Sequence, residues 1–287
     1  TVIFRFIADG TAASQALANG EIDIYAGQAT ADAVAALNKI KGVTVKGGIQ
    51  SCYEHWDTRV NAAPGQPEYT GIFKGHGGKG ADLRRAFLLA VPRAEINEKL
   101  IAPINPSVVV LGSTFVSPGE EGYDRLVANN GSNFYAGSQA ELNAKALRLV
   151  KKHFPDAAAG SGSVKIKLLF GQPSNARRVS QSQLAKAEWA KAGFDVDVTP
   201  TSGWSSYLED PKYDAAFFAW VKSAAFQSGN VGTYETQANL QGYSNATIDK
   251  IYKELGASPK TPAQIAALFA QVDAELIKDA VTLPVFQ

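Results

Sequence analysis

The sequence predicts an α/β fold, in which short strands alternate with helices. Three strand–helix units begin within the first 45 residues, where the apolar pattern alternates between a period of two and a helical period. The predicted strands are residues 1–7, 21–25 and 43–45, and the predicted helices are residues 11–19 and 31–37. Gly20 follows the first helix, where glycine readily adopts the left-handed conformation that ends a helix.

Residues 61–80 have a different composition. Their prolines and the glycine-rich run at 75–80 predict a loop or hinge. Residues 82–100 predict two helices interrupted at Pro92, because proline cannot donate to the helical ladder. The long segment 103–137 predicts a functional or flexible loop. Three arginines of the helical region are expected to form salt bridges on helix surfaces: Arg84, Arg85 and Arg93.

Side chains that cap helices mark three helix starts. Ser138 with Glu141 and Thr261 with Gln264 have the spacing of capping boxes, in which each side chain bonds the other residue's backbone N–H. Asn245 has the character of an N-cap after a turn-rich segment. These signals predict a helix after each cap, the last running to about residue 279.

The second half of the chain contains a strand–helix–strand pattern. Residues 163–170 and 194–198 alternate as strands, and residues 177–192 between them read as a helix closed by glycine. Such a crossover predicts parallel strands with a right-handed connection. A further buried strand, residues 213–220, ends on Trp220.

Composition excludes several classes of protein. The chain has 287 residues, 45% of them hydrophobic, and a net charge of +1, so it shows no electrostatic footprint for nucleic acid or an anionic membrane. Its apolar runs are far shorter than the roughly 20 residues that span a bilayer. Cys52 is the one cysteine, which excludes an intrachain disulfide and a multi-cysteine metal site. Because both ends read as apolar strands, we expect the chain to be a segment of a longer protein.

The motifs of catalytic sites are missing from the sequence. The three histidines, at 55, 76 and 153, do not have zinc-site spacing, and no Gly-x-Ser-x-Gly elbow occurs. The segment 75–80 is not a phosphate-binding loop, because Gly80 follows Lys79 where Ser or Thr is required. We therefore predict a protein that is not an enzyme and that has no metal or cofactor.

Four blocks of sequence, in order along nearly the whole chain, resemble one family. They are Ala-Asn-Gly-Glu-Ile-Asp-Ile at 18–24, Leu-Arg-Arg-Ala-Phe-Leu-Leu-Ala-Val-Pro-Arg at 83–93, Tyr-Asp-Ala-Ala-Phe-Phe-Ala-Trp at 213–220 and Asn-Leu-Gln-Gly-Tyr-Ser-Asn-Ala-Thr-Ile-Asp at 239–249. Together they resemble the family 5 extracellular solute-binding proteins, the peptide and nickel receptors of ABC importers. The resemblance implies a bilobed fold of the periplasmic-binding-protein type II. It places residues 1–60 in part of the first lobe, 61–264 in the complete second lobe and 265–287 in a return segment to the first lobe.

The resemblance also implies that Trp220 lines a cleft between the lobes. In peptide-binding members an aspartate three residues later holds the ammonium group of the ligand, whereas this chain has Ser223. A hydroxyl cannot neutralise a buried ammonium, so we expect a ligand without a free N-terminal ammonium: a blocked or acidic peptide, a sugar or another polar metabolite. Packing of Trp220 in the core remains the alternative. Four further residues are candidate ligand contacts, each with a turn or core role as its alternative: Trp204, Asn230, Tyr234 and Tyr243.

The function implied is capture of a small solute between two lobes, without chemistry on the ligand. The implied partner is an ABC permease, and the implied location is the periplasm or the outer face of the membrane, with a monomeric receptor held by a lipid anchor outside this segment. Two alternatives stay open: the ligand-sensing domain of a regulator with the same fold, and an α/β enzyme.

Overall fold

The computed structural model describes residues 1–7, 9–27, 30–47, 51–203, 208, 212–221 and 232–287. Its strands are β1 Cys52–Thr58, β2 Val164–Gly171, β3 Phe194–Thr201, β4 Ala215–Val221 and β5 Thr282–Phe286. Its helices are α1 Gly10–Ala18, α2 Ala31–Leu37, α3 Gly78–Leu89, α4 Arg93–Ile96, α5 Tyr123–Val127, α6 Gln139–Lys151, α7 Ala176–Lys191, α8 Ala246–Ala257 and α9 Pro262–Asp279. A π-helical turn, Asn97–Ile101, extends α4, and a 3-10 turn spans Ser132–Tyr135.

One mixed sheet of five strands organises the fold, in the order β3-β2-β4-β1-β5. β2 is parallel to β3 and β4, whereas β1 is antiparallel to β4 and β5. The predicted strand–helix–strand unit is confirmed, since α7 connects the parallel strands β2 and β3. The carboxyl ends of β2, β3, β4 and β5 therefore lie at one edge of the sheet, beside the start of β1.

The sheet crosses both lobe boundaries expected from the sequence, after residues 60 and 264. β1 precedes the first boundary and β5 follows the second, yet both belong to the same sheet as β2–β4. The hydroxyl of Thr58 also donates to the backbone oxygen of Ala280 at 2.6 Å, across 222 residues of sequence. Hydrogen bonding over such a separation has no local sequence signal, and the division of the chain into lobes remains a prediction.

The first 47 residues contain the two predicted helices but not the predicted strands. α1 and α2 are present, and Gly20 has the expected positive φ of 72°. Residues 1–7, 21–25 and 43–45 are not strands, so this prediction was wrong. A strand needs a neighbour to satisfy its backbone groups, and none of the described residues pairs with these segments. Phe4 and Phe6 are accordingly 80% and 97% exposed.

Capping determines where the later helices begin. The boxes at Ser138 and Thr261 are both formed, and they start α6 and α9. The side chain of Asn245 accepts from the backbone of Thr247 and Ile248, which confirms it as the N-cap of α8. Pro92 separates α3 from α4 as predicted.

The expected surface salt bridges were wrong for two of the three arginines. Arg84 is fully buried and donates to the backbone oxygens of Phe73, Gly75 and Asp279. Arg93 likewise donates to backbone oxygens, those of three separate segments. Only Arg85 has the expected ion pair, with Asp82 at 3.4 Å. The periodicity of a helix does not show which arginine faces inward onto carbonyl groups.

The described residues form three apolar cores, the smallest of which, around Leu169, Ala216 and Phe218, lies on the other face of β2 and β4 from the first. In the first, Trp56 of β1 stacks on Phe217 at 4.2 Å between ring centroids and meets Trp189 of α7 edge-on at 5.1 Å. In the second, α8 and α9 pack on the 115–126 segment, where Phe115 and Phe269 stack at 4.5 Å. Because successive side chains of a strand point to opposite faces, His55 and Asp57 lie on the side of β1 away from Trp56.

Candidate functional site

A cleft of about 790 Å³ opens at the carboxyl edge of the sheet. Its walls come from the start of β1, the turn between β2 and α7, the ends of β4 and β5, and the segment 101–105. Open α/β sheets place ligand contacts at this edge, because the strands and the helix N-termini that follow them converge there. The cleft is the main candidate binding site.

The turn that enters the cleft between β2 and α7 is tightly held. Gln172 has a left-handed backbone, with φ at 62°, which is costly for a residue with a side chain. Its Oε1 accepts from Asn175 Nδ2 at 3.1 Å and from Arg178 Nη1 at 3.4 Å. Asn175 in turn caps α7 by accepting from the backbone N–H of Arg178. These bonds fix the direction in which the first residues of α7 meet the cleft.

A buried carboxylate and two arginines form the floor of the cleft. Glu54 is 2% exposed, and both its oxygens accept from Arg178, from Nε at 2.9 Å and from Nη2 at 3.3 Å. Arg177 adds a longer contact from Nη2 to Glu54 at 3.5 Å, and its guanidinium lies 5.0 Å from the ring centroid of Phe286. Its Nη1 is buried and has no hydrogen-bond partner among the described residues.

A second cavity of about 280 Å³ also lies at the end of β4. Trp220 and Val221 line it, together with residues 232–233 and 238–241. Trp220 is half-buried, it stacks on His55 with ring centroids 6.3 Å apart, and its Nε1 finds no hydrogen-bond partner in the described part of the chain. The tryptophan thus stands at the strand end where it was predicted, with one free donor beside a cavity. Its contact with a ligand remains a prediction.

Asp57 holds a buried polar network under this second cavity. It accepts from His55 Nε2 at 3.2 Å, from Gln241 Nε2 and from the hydroxyl of Tyr234 at 3.4 Å. Burial, followed by the charge of Asp57, raises the pKa of Tyr234 well above its usual value. The network ties β1 to the segment that follows Trp220.

Tyr234 and Tyr243 both lie in the second core and line neither cavity. The hydroxyl of Tyr243 donates to Asp279 at 2.7 Å and accepts from Asn245 at 2.8 Å. Burial is the main cause that raises the pKa of Tyr243. Ligand contact by these two residues remains a prediction. Three other candidates lie outside the described residues: Trp204, Ser223 and Asn230.

Sequence reasoning missed Glu54, Arg177 and Arg178. One local signal was available for the arginines, since they follow a strand and a turn at the start of a helix, the position that faces the carboxyl edge of a sheet. A carboxylate within a strand that is buried along nearly its whole length is a weaker signal for Glu54, and Asp57 of the same strand shares it. Nothing local links Glu54 to an arginine 124 residues away.

Two kinds of feature are absent from the described residues. No group of three or more His, Cys, Asp or Glu side chains in this part of the chain is arranged to hold a metal ion. None of its helices has the length and apolarity needed to cross a membrane.

Comparison with known families identifies the chain. Residues 1–241 match the family described as bacterial extracellular solute-binding proteins, family 5 middle. The chain belongs to this family. The resemblance stated from the four sequence blocks is thereby confirmed. No curated protein sequence matches the chain.

Solved structures with the same fold include several binding proteins. The periplasmic EDTA-binding protein EppA has a TM-score of 0.79 at 20% identity, and the match covers 99% of this chain and 52% of EppA. For the murein tripeptide binding protein MppA of Escherichia coli the TM-score is 0.74 at 19% identity, with coverage of 96% and 50%. NikA of Staphylococcus aureus, in complex with Ni(L-His)2, has a TM-score of 0.67 at 12% identity, and the match covers 97% of this chain and 54% of NikA. The mixed α/β fold matches family 5 folds as expected, and the chain spans about half the length of these proteins.

Proposed function

We propose that the chain is part of a solute receptor that serves an ABC importer. The observation that carries the proposal is the cleft at the carboxyl edge of the sheet, in a chain that belongs to the family 5 solute-binding proteins. The receptor captures its solute in the cleft without changing it chemically.

Capture takes place between two lobes and shifts the equilibrium from an open to a closed form. The shared sheet supports placing β1 to β5 in one lobe, which moves the first boundary from residue 60 to a point before Cys52. In this proposal β5 belongs to the same lobe as β1–β4, so no lobe boundary follows residue 264. Residues before β1 belong to the other lobe in this proposal.

The remaining features of the proposal follow from family membership. The closed receptor, a monomer, delivers its solute to an ABC permease in the membrane. It works in the periplasm or on the outer face of the membrane, held there by a lipid anchor that lies outside this segment.

The second cavity supplies the aromatic contact of the binding site. Trp220 provides a large apolar face and a donor with no described partner. The other candidate contacts proposed from the sequence are Trp204, Ser223, Asn230, Tyr234 and Tyr243, of which the two tyrosines lie in the second core and do not line this cavity. Ser223 in place of an aspartate favours a ligand that lacks a free N-terminal ammonium, such as a blocked or acidic peptide, a sugar or another polar metabolite.

Native mass spectrometry of the full-length protein, purified from its own host, tests this function. We expect an additional mass on the wild-type protein that is lost from Trp220→Ala and retained by Phe134→Ala, an exposed aromatic outside both cavities. A protein that stays empty after incubation with extracts of the growth medium would contradict the receptor function. Conversion of added solutes into products would indicate an enzyme, and a helix-turn-helix segment in the full-length sequence would indicate a regulator.

A further inference from the structure

The dipeptide Asn-Gly occurs twice in the chain, in contrasting surroundings. Asn19 and Gly20 follow α1 and are both exposed, whereas Asn130, which precedes Gly131, is fully buried. An asparagine before glycine can cyclise, because the backbone nitrogen of the next residue attacks the side-chain amide carbon. Glycine has no Cβ to obstruct that approach. The surroundings of each pair therefore decide whether this reaction takes place in the folded protein.

The end of α1 can open for ring closure at Asn19. The backbone at Asn19 is helical, with φ at −81° and ψ at −5°, so attack requires a rotation about its ψ. The rotation breaks the hydrogen bonds from the backbone N–H of Gly20 to Leu17 at 3.1 Å and from that of Glu21 to Ala16 at 2.9 Å. Both donors lie at an exposed helix end, where water replaces the lost partners and local opening has a small free energy. A Cβ built on Gly20 would have no atom within 4 Å, so the space for the rotation is free.

The side-chain amide of Asn130 is held in place and shielded from water. Its Nδ2 donates to the backbone oxygen of Gly112 at 2.7 Å and to Asp273 Oδ2 at 3.3 Å, and its Oδ1 accepts from the backbone N–H of Ser132 at 3.0 Å. Ring closure would turn the amide carbon away from these partners and would leave the buried carboxylate of Asp273 with fewer donors. Burial prevents water from replacing the lost hydrogen bonds, so the fold protects Asn130.

Asn38 completes the comparison, because it matches Asn19 in everything but the next residue. It is the exposed C-cap residue of α2, and its backbone is also helical, with φ at −63° and ψ at −17°. Lys39 follows it, and the Cβ of that residue crowds the attacking nitrogen. Of these three asparagines, only Asn19 combines an exposed side chain with a following glycine.

We propose that Asn19 is a site of spontaneous deamidation in the folded protein, an inference that does not depend on the proposed receptor function. The backbone nitrogen of Gly20 forms a bond to Cγ of Asn19, the bond from Cγ to Nδ2 breaks, and ammonia leaves with the proton of the Gly20 N–H. Water then opens the cyclic imide at either carbonyl group, which gives aspartate or isoaspartate. No oxidant or reductant is needed.

Deamidation changes the charge at the end of α1. The Nδ2 of Asn19 now donates to Glu21 Oε1 at 3.2 Å, so the product places a second carboxylate beside Glu21. The new charge also lies at the C-terminal end of a helix, where a negative charge is unfavourable. The modification therefore weakens the last turn of α1, and it makes the protein more acidic by one charge, which ion-exchange chromatography separates.

The test is peptide mapping by mass spectrometry of the full-length protein, incubated at neutral and at mildly alkaline pH. The attacking nitrogen must lose its proton, so we expect the acid at position 19 to accumulate faster at the higher pH. Both aspartate and isoaspartate should form there, because the imide opens at either side. Asn130 of the same sample should react about 10-fold or more slowly, since its amide must first leave buried hydrogen bonds. Asn38 should also keep its amide.

The same mapping in guanidinium chloride separates the effect of sequence from that of structure. In the unfolded chain Asn130 should react as fast as Asn19, while Asn38 should stay slow. Asn19→Gln is the control variant, because its longer side chain closes a larger, less favourable ring and should retain its amide. Equal rates at Asn19 and Asn130 in the folded protein, or an intact amide at Asn19 under conditions in which unfolded Asn130 reacts, would overturn the proposal. Aspartate without isoaspartate would indicate direct hydrolysis and would overturn the ring closure.

Discussion

Arg84 in the first core and Arg178 in the cleft are both buried, but they are stabilised in different ways. Within the described part of the chain Arg84 has no carboxylate partner, and it donates to three backbone oxygens, including that of Asp279 at the end of α9. Arg178 is paired with Glu54. The comparison shows that, away from the cleft, backbone carbonyl groups alone can satisfy the hydrogen bonding of a buried guanidinium. The cleft instead uses a carboxylate that also faces a second, incompletely paired arginine.

The largest effect is expected for Arg84→Leu. The substitution leaves three backbone oxygens of the buried region without their donor and removes the cation from the C-terminal end of α9. We expect a loss of about 4 kcal/mol in the free energy of unfolding, the size found when one partner of a buried charged contact is removed. Urea unfolding measures it. A loss below about 1 kcal/mol would mean that water replaces the guanidinium, and the contrast with the cleft would then fail.

Glu54→Gln tests the other half of the comparison. The amide keeps an acceptor for Arg178 but removes the only carboxylate among the described side chains that line the cleft. We expect a loss of about 3 kcal/mol in unfolding free energy, because two arginines then lie close together without a counter-charge. Urea unfolding measures this loss. A loss below about 1 kcal/mol would mean that water replaces the counter-charge of Glu54, and the contrast with Arg84 would then fail.

The difference between these regions also explains what the sequence could predict. Capping at Ser138 and Thr261 depends on residues three apart, and the unit β2–α7–β3 depends on periodicity within 40 residues, so both were predicted. Trp220 was placed correctly at the end of β4 for the same reason. Local patterns were sufficient wherever the interacting groups are close in sequence.

Features that depend on distant segments were missed. β1 pairs with β5, although Asp57 and its partner, Thr282, lie far apart in the sequence. Residues 1–7 have a strand pattern, but a pattern alone does not supply a pairing neighbour. The contact between Glu54 and Arg178 spans 124 residues, so the charged floor of the cleft was visible only in three dimensions.

Asp273 extends the comparison to a buried acid. Like Arg84 it has neutral partners: it accepts from Ser113, from the backbone of Thr114 and from Asn130. Burial raises the pKa of Asp273 to about 6, against the opposing effect of these donors. Because the folded pKa exceeds the usual value of 3.8, the folded state holds this proton more tightly than the unfolded state does. The contribution of Asp273 to the free energy of unfolding therefore falls as the pH rises from about 4 to about 6. It stays at this lower value at higher pH.

Asp273→Asn should remove this dependence. We expect the change in unfolding free energy between pH 4 and pH 7 to differ from that of the wild type by about 2 kcal/mol, with the variant less destabilised as the pH rises. Urea unfolding across this pH range measures the slope. Asp156→Asn, which alters an exposed carboxylate, is the control and should follow the wild type. Parallel curves for Asp273→Asn and the wild type would mean that the carboxylate is better solvated than its burial indicates.

The smallest effect is expected for Arg85→Ala, which separates burial from hydrogen bonding at one helix end. Arg85 is next to Arg84 and donates to the backbone oxygen of Lys278, one residue before the oxygen that Arg84 contacts, but 24% of its side chain is exposed. Water can replace its donors, and its contact with Asp82 is partly solvated. We therefore expect a loss of only about 0.5 kcal/mol in unfolding free energy. A loss comparable to that of Arg84→Leu would show that the hydrogen bond to the end of α9, and not the burial of the arginine, determines the loss of stability. The difference in burial between Arg84 and Arg85 would then not explain their effects.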